Sequence, residues 1–334
     1  METSEPSPRT APSNDHLNAV GLGGTAENGE VSDGSPTLKA PRAPWWILIV
    51  PFFLSAFFYL SAVFAVFAPL PILFLRARSG RVPAFGAVVT NAALVLLATN
   101  RPSLAIYLVF IGALSMVMGE LVDRRYSIEK TAVLTLAAVA VCGGLVVGWY
   151  SHIHHVNPIE EMRTLIAGTI ETIQTAMPPS NTMDPADVDE WKQDALAEFP
   201  SVIALFAVVL VWANLSTLLR INPAGVRDKI GLAPTFLKEW KAPEWLVWPT
   251  IAAGFFLIVD AGPVTLVAMN VFRVLMAIYA IQGLSVLSFV FDVWNIRGFF
   301  RTLGFLISIF LMMPLLLSLG FFDLWFDFRG KFRQ

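Results

Sequence analysis

From Trp45 onward, long apolar runs alternate with short polar joints, and the runs fall near 45–75, 82–99, 102–122, 129–150, 200–219, 244–260, 262–291 and 299–320. A helix needs about 20 apolar residues to cross a hydrocarbon core of about 30 Å, and most of these runs are close to that length. The pattern predicts an all-α, polytopic membrane helix bundle of eight apolar segments. Two runs are too long for a simple crossing. The run 262–291 requires tilt or an extension into water. The run 45–75 carries Pro51, Pro69 and Pro71, so it reads either as one kinked helix or as two short helices in a tight hairpin. The second choice would make nine helices.

Two stretches break the apolar pattern. Residues 1–44 hold six prolines, many Ser and Gly, and no aromatic residue. Such a stretch buries too little apolar area to offset its ordering entropy and is expected to be a disordered tail. Neither a basic start nor an apolar core of a secretory signal lies near Met1, so the first membrane segment is expected to act as the targeting signal. The other stretch is 151–199, with nine acids against Arg163 and Lys192. Ile159, Met162, Ile166, Ile170, Ile173 and Met177 recur there at helical spacing, which predicts an amphipathic helix. Past Pro178-Pro179, Asp184 is placed to cap a second helix with Pro185 at its first position and a stripe of Val188, Trp191, Ala195 and Phe199. This insert reads as a helical hairpin on the outer face, or as a docking surface or lid. The chain therefore divides into the tail 1–44, a membrane half 45–150, the acidic insert 151–199, a membrane half 200–320 and an aromatic end 321–334. At that end, Phe321, Phe322, Trp325, Phe326, Phe328 and Phe332 beside Asp323, Asp327 and Arg329 fit an interfacial anchor.

Composition excludes a soluble protein. Hydrophobic residues make up 56% of the chain and charged residues 14%, where soluble proteins carry roughly 25% charged residues. Mean hydropathy is +0.65. The net charge of −2 argues against a nucleic-acid partner and leaves the lipid bilayer as the partner that composition implies. The single cysteine, Cys142, excludes an intrachain disulfide framework and a multi-cysteine metal site. There is no GxxxxGK[ST], HExxH or nucleophile elbow, so no cofactor is implied and an enzyme is disfavoured. With no nucleotide loop of its own, any energised motion would need partner subunits.

Charge becomes informative once it is sorted by joint. Arg76, Arg78 and Arg81 follow the first run, and Arg124, Arg125 and Lys130 fill the third joint. Arg220, Arg227, Lys229, Lys238 and Lys241 fill the fifth, and Arg297 and Arg301 the seventh. The joints between them hold only Arg101, Arg163 and Lys192. The positive-inside rule makes the first set cytoplasmic and 151–199 extracytoplasmic. On either helix count Arg329, Lys331 and Arg333 would end outside, against that rule.

Polar residues at membrane depth are the candidate chemistry, because an arginine near the centre costs roughly 2.5–3.5 kcal/mol on insertion scales. Arg273 lies near the middle of 262–291, and Asn270, Ser285, Ser288 and Asp292 share about half the helix circumference with it, with Gln282 at the edge. Asn270, Arg273 and Gln282 either line a site for a small polar or anionic ligand or tie helices together. Asn91, Glu120, Asn214 and Asp260 are further candidates. His152, His154 and His155, with Glu160 or Glu161 nearby, form a weak metal candidate or a polar collar. Gly112, Ser115 and Gly119 share a face, and Gly144 with Gly148 makes a GxxxG, both of which favour close helix packing.

Three motifs occur in order. Ala68-Pro69-Leu70-Pro71-Ile72-Leu73-Phe74-Leu75 is followed by Arg78 and Gly80, Ile278-Tyr279-Ala280-Ile281-Gln282-Gly283-Leu284-Ser285 has the form Y-x-x-Q-G, and the end reads Leu319-Gly320-Phe321-Phe322-Asp323-Leu324-Trp325-Phe326-Asp327-Phe328-Arg329. Together they resemble the DUF2232, YybS-like family of bacterial membrane proteins over roughly 45–329. The PLP segment before Arg-x-Gly is also similar to the substrate-binding (S) components of energy-coupling-factor vitamin transporters, which implies small-molecule capture. This chain adds C-terminal spans and the acidic insert. The resemblance brings over no catalytic residues. Two functions are expected in turn: a transporter-like protein that binds a small polar ligand in the bundle and is energised by partner subunits, or a membrane scaffold recruiting partners through 151–199 and 220–243.

Overall fold

The computed structural model describes residues 49–176, 185–233, 235–259 and 261–331. The tail 1–44, the turn at Pro178-Pro179, the Asp184 cap, Asp260 and Phe332 lie outside them. Every regular element among the described residues is helical. Five helices are long and apolar enough to cross a membrane, or six if one sharply bent pair counts as a span. The eight runs read from hydropathy are therefore not eight such helices.

The run 45–75 shows why. It is two short helices, α1 (Pro51–Leu60) and α2 (Pro69–Ser79), separated by a 3-10 turn at Ala65–Phe67. Next come α3 (Arg81–Ala98) and α4, which runs from Arg101 to Asp123 through a π-helical turn at Leu108–Ala113. The contacts of α4 reveal the path of the first two helices. Ser55 and Tyr59 of α1 bond Tyr107 and Ser103 near its start. Pro69 and Arg76 of α2 meet Ser115 and Asp123 toward its end. The chain thus reverses at 61–68 and forms a hairpin, not one kinked helix. The π turn adds one residue's rotation, about 100°, and this brings Tyr107 and the Ser115–Gly119 face to the same side of α4.

Small residues do the packing that the sequence suggested at this face. A Cβ on Gly119 would overlap the Arg76 side chain, and one on Gly112 would come within 3.3 Å of Val88. Gly144 and Gly148 lie on α5 (Ile128–His154), where a Cβ would meet nothing within 4 Å.

In the insert, α6 (Pro158–Ala176) packs on the first part of α7 (Pro185–Ile221), as an amphipathic arm should. Helix α7 runs on through Pro200 without a boundary, and its 37 residues make it about 55 Å long. A polar loop follows, with short helices α8 (Val226–Lys229) and α9 (Phe236–Glu239). The apolar helix α10 (Val247–Val259) leads to α11 (Pro263–Val293). Glu244–Val259 as a whole is shorter than a regular span.

The run 299–320 is also divided. Helices α12 (Phe299–Phe310) and α13 (Met313–Phe326) meet at a 95° bend, and α14 (Phe328–Lys331) follows. Arg301 at the start of α12 bonds Asp292 and Ser288 at the end of α11. Past the bend, Asp327 pairs with Lys241 at 2.8 Å, and Arg329 reaches the backbone carbonyls of Lys238 and Trp240. These contacts return the chain to the 237–242 region, where Lys238 also pairs with Asp292 at the end of α11. Arg329 thus joins the basic 220–243 loop. Lys241 beside Asp327 holds that carboxyl below the usual carboxylate range.

Candidate functional site

Two polar seams and two adjoining clefts organise α7 and the elements after it. The first seam spans Pro200. Proline supplies no N–H and its ring crowds the preceding turn. Here the Asn270 amide accepts from the Ser201 N–H at 2.8 Å and donates to the Ala197 carbonyl at 3.0 Å. Those two groups are i and i+4 partners in a regular helix. Arg273, one turn further on, pairs with Glu198 at 2.5 Å, with both side chains partly exposed. Asn270→Leu is expected to destabilise the protein by about 1–3 kcal/mol through unsatisfied backbone groups. The loss should shrink in a Pro200→Ala background, where α7 can satisfy itself. Equal losses in the two backgrounds, by thermal unfolding in detergent, would sink this assignment.

The second seam is sealed from solvent. Gln282 and Asp323 are each 0% exposed and Arg329 is 4% exposed. Gln282 donates to Asp323 Oδ2 at 3.1 Å and accepts from the Ala242 N–H at 3.0 Å. Arg329 donates to the same carboxylate oxygen at 2.5 Å. Ser285 donates to the Leu237 carbonyl at 2.7 Å. This network fastens α11, α13, α14 and the 237–242 loop to one another. In the sequence Asp323 and Arg329 read as part of an interfacial anchor, but here they turn inward. The aromatic face formed by Phe322, Trp325 and Phe326 remains exposed.

Between the seams and the basic face lies a cleft of about 360 Å³. One wall is the stripe Trp212, Ala213, Ser216, Thr217 and Arg220 of α7, residues at helical spacing on one face. The facing wall is Ile281, Leu284, Ser285 and Ser288 of α11, with Phe305 and Ile309 of α12. Each wall is held in place. Asn214 donates to the Val66 carbonyl at 2.7 Å and so fixes the turn that carries Phe67 into the cleft. Arg301, anchored on Asp292 at 2.5 Å, sets the start of α12. The sealed network positions Leu237 and Trp240. Among the described residues no carboxylate lines the cleft, and Arg220 is its one charged side chain. A second, more apolar cleft of about 240 Å³ shares Trp212, Ser216, Leu237, Trp240 and Ile281 with it.

The sequence candidates are therefore dispersed. Asn270 and Arg273 form the first seam, and Gln282 belongs to the second. Asn91 is fully buried on α3 and its side chain accepts from the Ala56 N–H at 2.7 Å, which fastens α1 to α3. Glu120 receives Arg76 at 2.7 Å, Arg81 at 2.9 Å and Arg124 at 2.8 Å. The buried Arg76 also reaches Asp123 at 2.9 Å, so this cluster locks α2 to α4. His152, His154 and His155 do not converge: His154 stacks on Tyr150, while His152 faces His155 across 6.5 Å. Among the described residues no group of three His, Cys, Asp or Glu is placed to hold a metal. Of the cleft residues, the sequence singled out Ser285 and Ser288 on the polar face of α11 but not the α7 wall. Arg220 registered only as a topology charge, and Ser216 and Thr217 carry no signal until α7 has a neighbour.

The family model described as "Predicted membrane protein (DUF2232)" matches residues 46–324, a stretch that contains the cleft, the first seam and the five long helices. No curated protein and no solved structure matches the chain.

Proposed function

Since this chain belongs to the DUF2232 family of membrane proteins, we propose a transporter-like role in which a ligand is captured in the cleft between α7 and α11–α12. The protein would sit in a bacterial inner membrane with 151–199 outside and its motion driven by partner subunits. One observation carries this reading: the cleft is a concave, largely apolar space at a helix junction with a few convergent polar groups, the usual form of a small-molecule site. The cleft is favoured over Asn270 and Gln282 as the site because the amides of those two residues are taken up by protein partners. The scaffold alternative gains less support from the 220–243 loop, because Phe236 and Ala242 are buried in the protein's own core.

Ser216→Phe tests the reading by filling the cleft from its α7 wall. Native mass spectrometry of the protein extracted from membranes is expected to show a bound species on wild type that S216F lacks, with both proteins eluting as the same folded particle. Identical bound species on the two proteins would remove the capture role.

A further inference from the structure

Resting on that capture reading, we infer that the cleft takes an anionic phospholipid, with the phosphate on Arg220 and an acyl chain along the apolar wall. The argument begins with the order of side chains on α7. Arg220 stands exposed at the last turn of the helix, on the basic face. Ser216 and Thr217 come one turn deeper, and Trp212 and Ala213 another turn below them. From residue 220 to residue 212 the stripe descends about 12 Å. It passes from charge through hydroxyls to aromatic and aliphatic surface. A soluble anion needs only the upper end of such a gradient, whereas an amphiphile uses all of it.

The electrostatics favour a negative headgroup. Arg76, Arg273, Arg301 and Arg329 each pair with a carboxylate. Arg220 has no ion pair among the described residues, and no acid lines its cleft. Asp292, the nearest acid along α11 to Ser288, is already neutralised by Arg301 and Lys238. Hydrogen-bond donors are available as well. Arg301 donates to Ser288 Oγ at 2.7 Å, which leaves the Ser288 proton free to point into the cleft, and the Thr217 hydroxyl has no partner among the described residues. One guanidinium with two hydroxyl donors suits phosphate oxygens. Basic pockets between membrane helices on the positively charged side are a recurring form of headgroup site. The second cleft extends the apolar surface past Trp212 and Trp240, giving a chain somewhere to lie.

The test uses the full chain in detergent, with dioleoyl phosphatidylglycerol, dioleoyl phosphatidylcholine and inorganic phosphate as separate probes. Native mass spectrometry is expected to show phosphatidylglycerol retained about tenfold better than phosphatidylcholine, a difference of about 1.4 kcal/mol. Arg220→Gln should abolish that preference and Arg220→Lys should keep part of it. Arg227→Gln, on a residue already paired with Asp228, should change nothing. Equal retention of the two lipids, or a preference that survives R220Q, overturns the assignment. So does thermal protection by inorganic phosphate without lipid retention. If no lipid is preferred but S216F still displaces another bound species, only the lipid assignment fails. If S216F displaces nothing, the capture reading fails with it.

Discussion

Gly320→Ala is expected to cost the protein most of its stability in detergent, although it adds a single methyl group. A Cβ at Gly320 would overlap the Tyr279 carbonyl oxygen and lie 2.7 Å from the Gly283 nitrogen, and a Cβ at Gly283 would overlap the Leu316 carbonyl. Both obstacles are backbone, so no side chain can swing away and α13 must move off α11. Overpacking usually costs about 1–3 kcal/mol, and a clash with rigid backbone belongs at or above the top of that range. Separation would also stretch Gln282 away from Asp323, because that bond crosses the same helix contact. Gly144→Ala and Gly148→Ala provide the contrast. Nothing stands within 4 Å of either added Cβ, and alanine is favoured over glycine in a helix by about 1 kcal/mol. Those two variants should unfold at or above the wild-type temperature. Size-exclusion profiles after heating separate the outcomes, and a Gly320→Ala protein as heat-resistant as wild type would refute the close crossing.

The same glycines show what the sequence could and could not disclose. Long apolar runs were readable because bilayer thickness imposes a length on every crossing helix, and α3, α4, α5 and α11 follow from that alone. Breaks were harder. The prolines of 45–75 advertised an interruption, but only the contacts of Tyr59 with Ser103 and of Arg76 with Asp123 show that the chain reverses there. At 310–313 hydropathy stays high through a 95° bend, so two helices at a steep angle read as one straight span. The candidate site was legible as residue types and not as partnerships. Gln282 and Asp323 lie 41 positions apart, and each sat in a motif noted separately. Asn270 looked like a ligand group because it is polar at depth, and nothing local indicated that Pro200, 70 residues earlier in the chain, would claim it. Arg220 was hidden for the opposite reason, since an arginine at the end of a span is what topology alone expects.

The largest single-residue effect beyond the glycines should come from Asp323→Asn, and it should exceed that of Arg329→Met. Removing one member of a buried ion pair typically costs about 3–5 kcal/mol, because the other charge is left uncompensated. The two halves of this pair differ in how they can respond. Without Asp323, the guanidinium keeps the Lys238 and Trp240 carbonyls but has no counter-charge, and arginine does not release its proton. Without Arg329, the carboxylate can take up a proton and become neutral, and the Gln282 donor remains in place. D323N should therefore fall in the 3–5 kcal/mol range. R329M should lose only about 1–3 kcal/mol, chiefly from the orphaned Lys238 carbonyl and lost packing. The double variant should resemble R329M, since it leaves no charge buried, and a polar pair replaced in full is often close to neutral. Unfolding of the four proteins in one detergent completes a double-mutant cycle, with a coupling that makes the double variant far more stable than the summed single losses imply. Additive losses, or R329M falling below D323N, would show that Asp323 and Arg329 do not face each other in a dry interior. The seam that closes the bent pair onto α11 would then have to be redrawn.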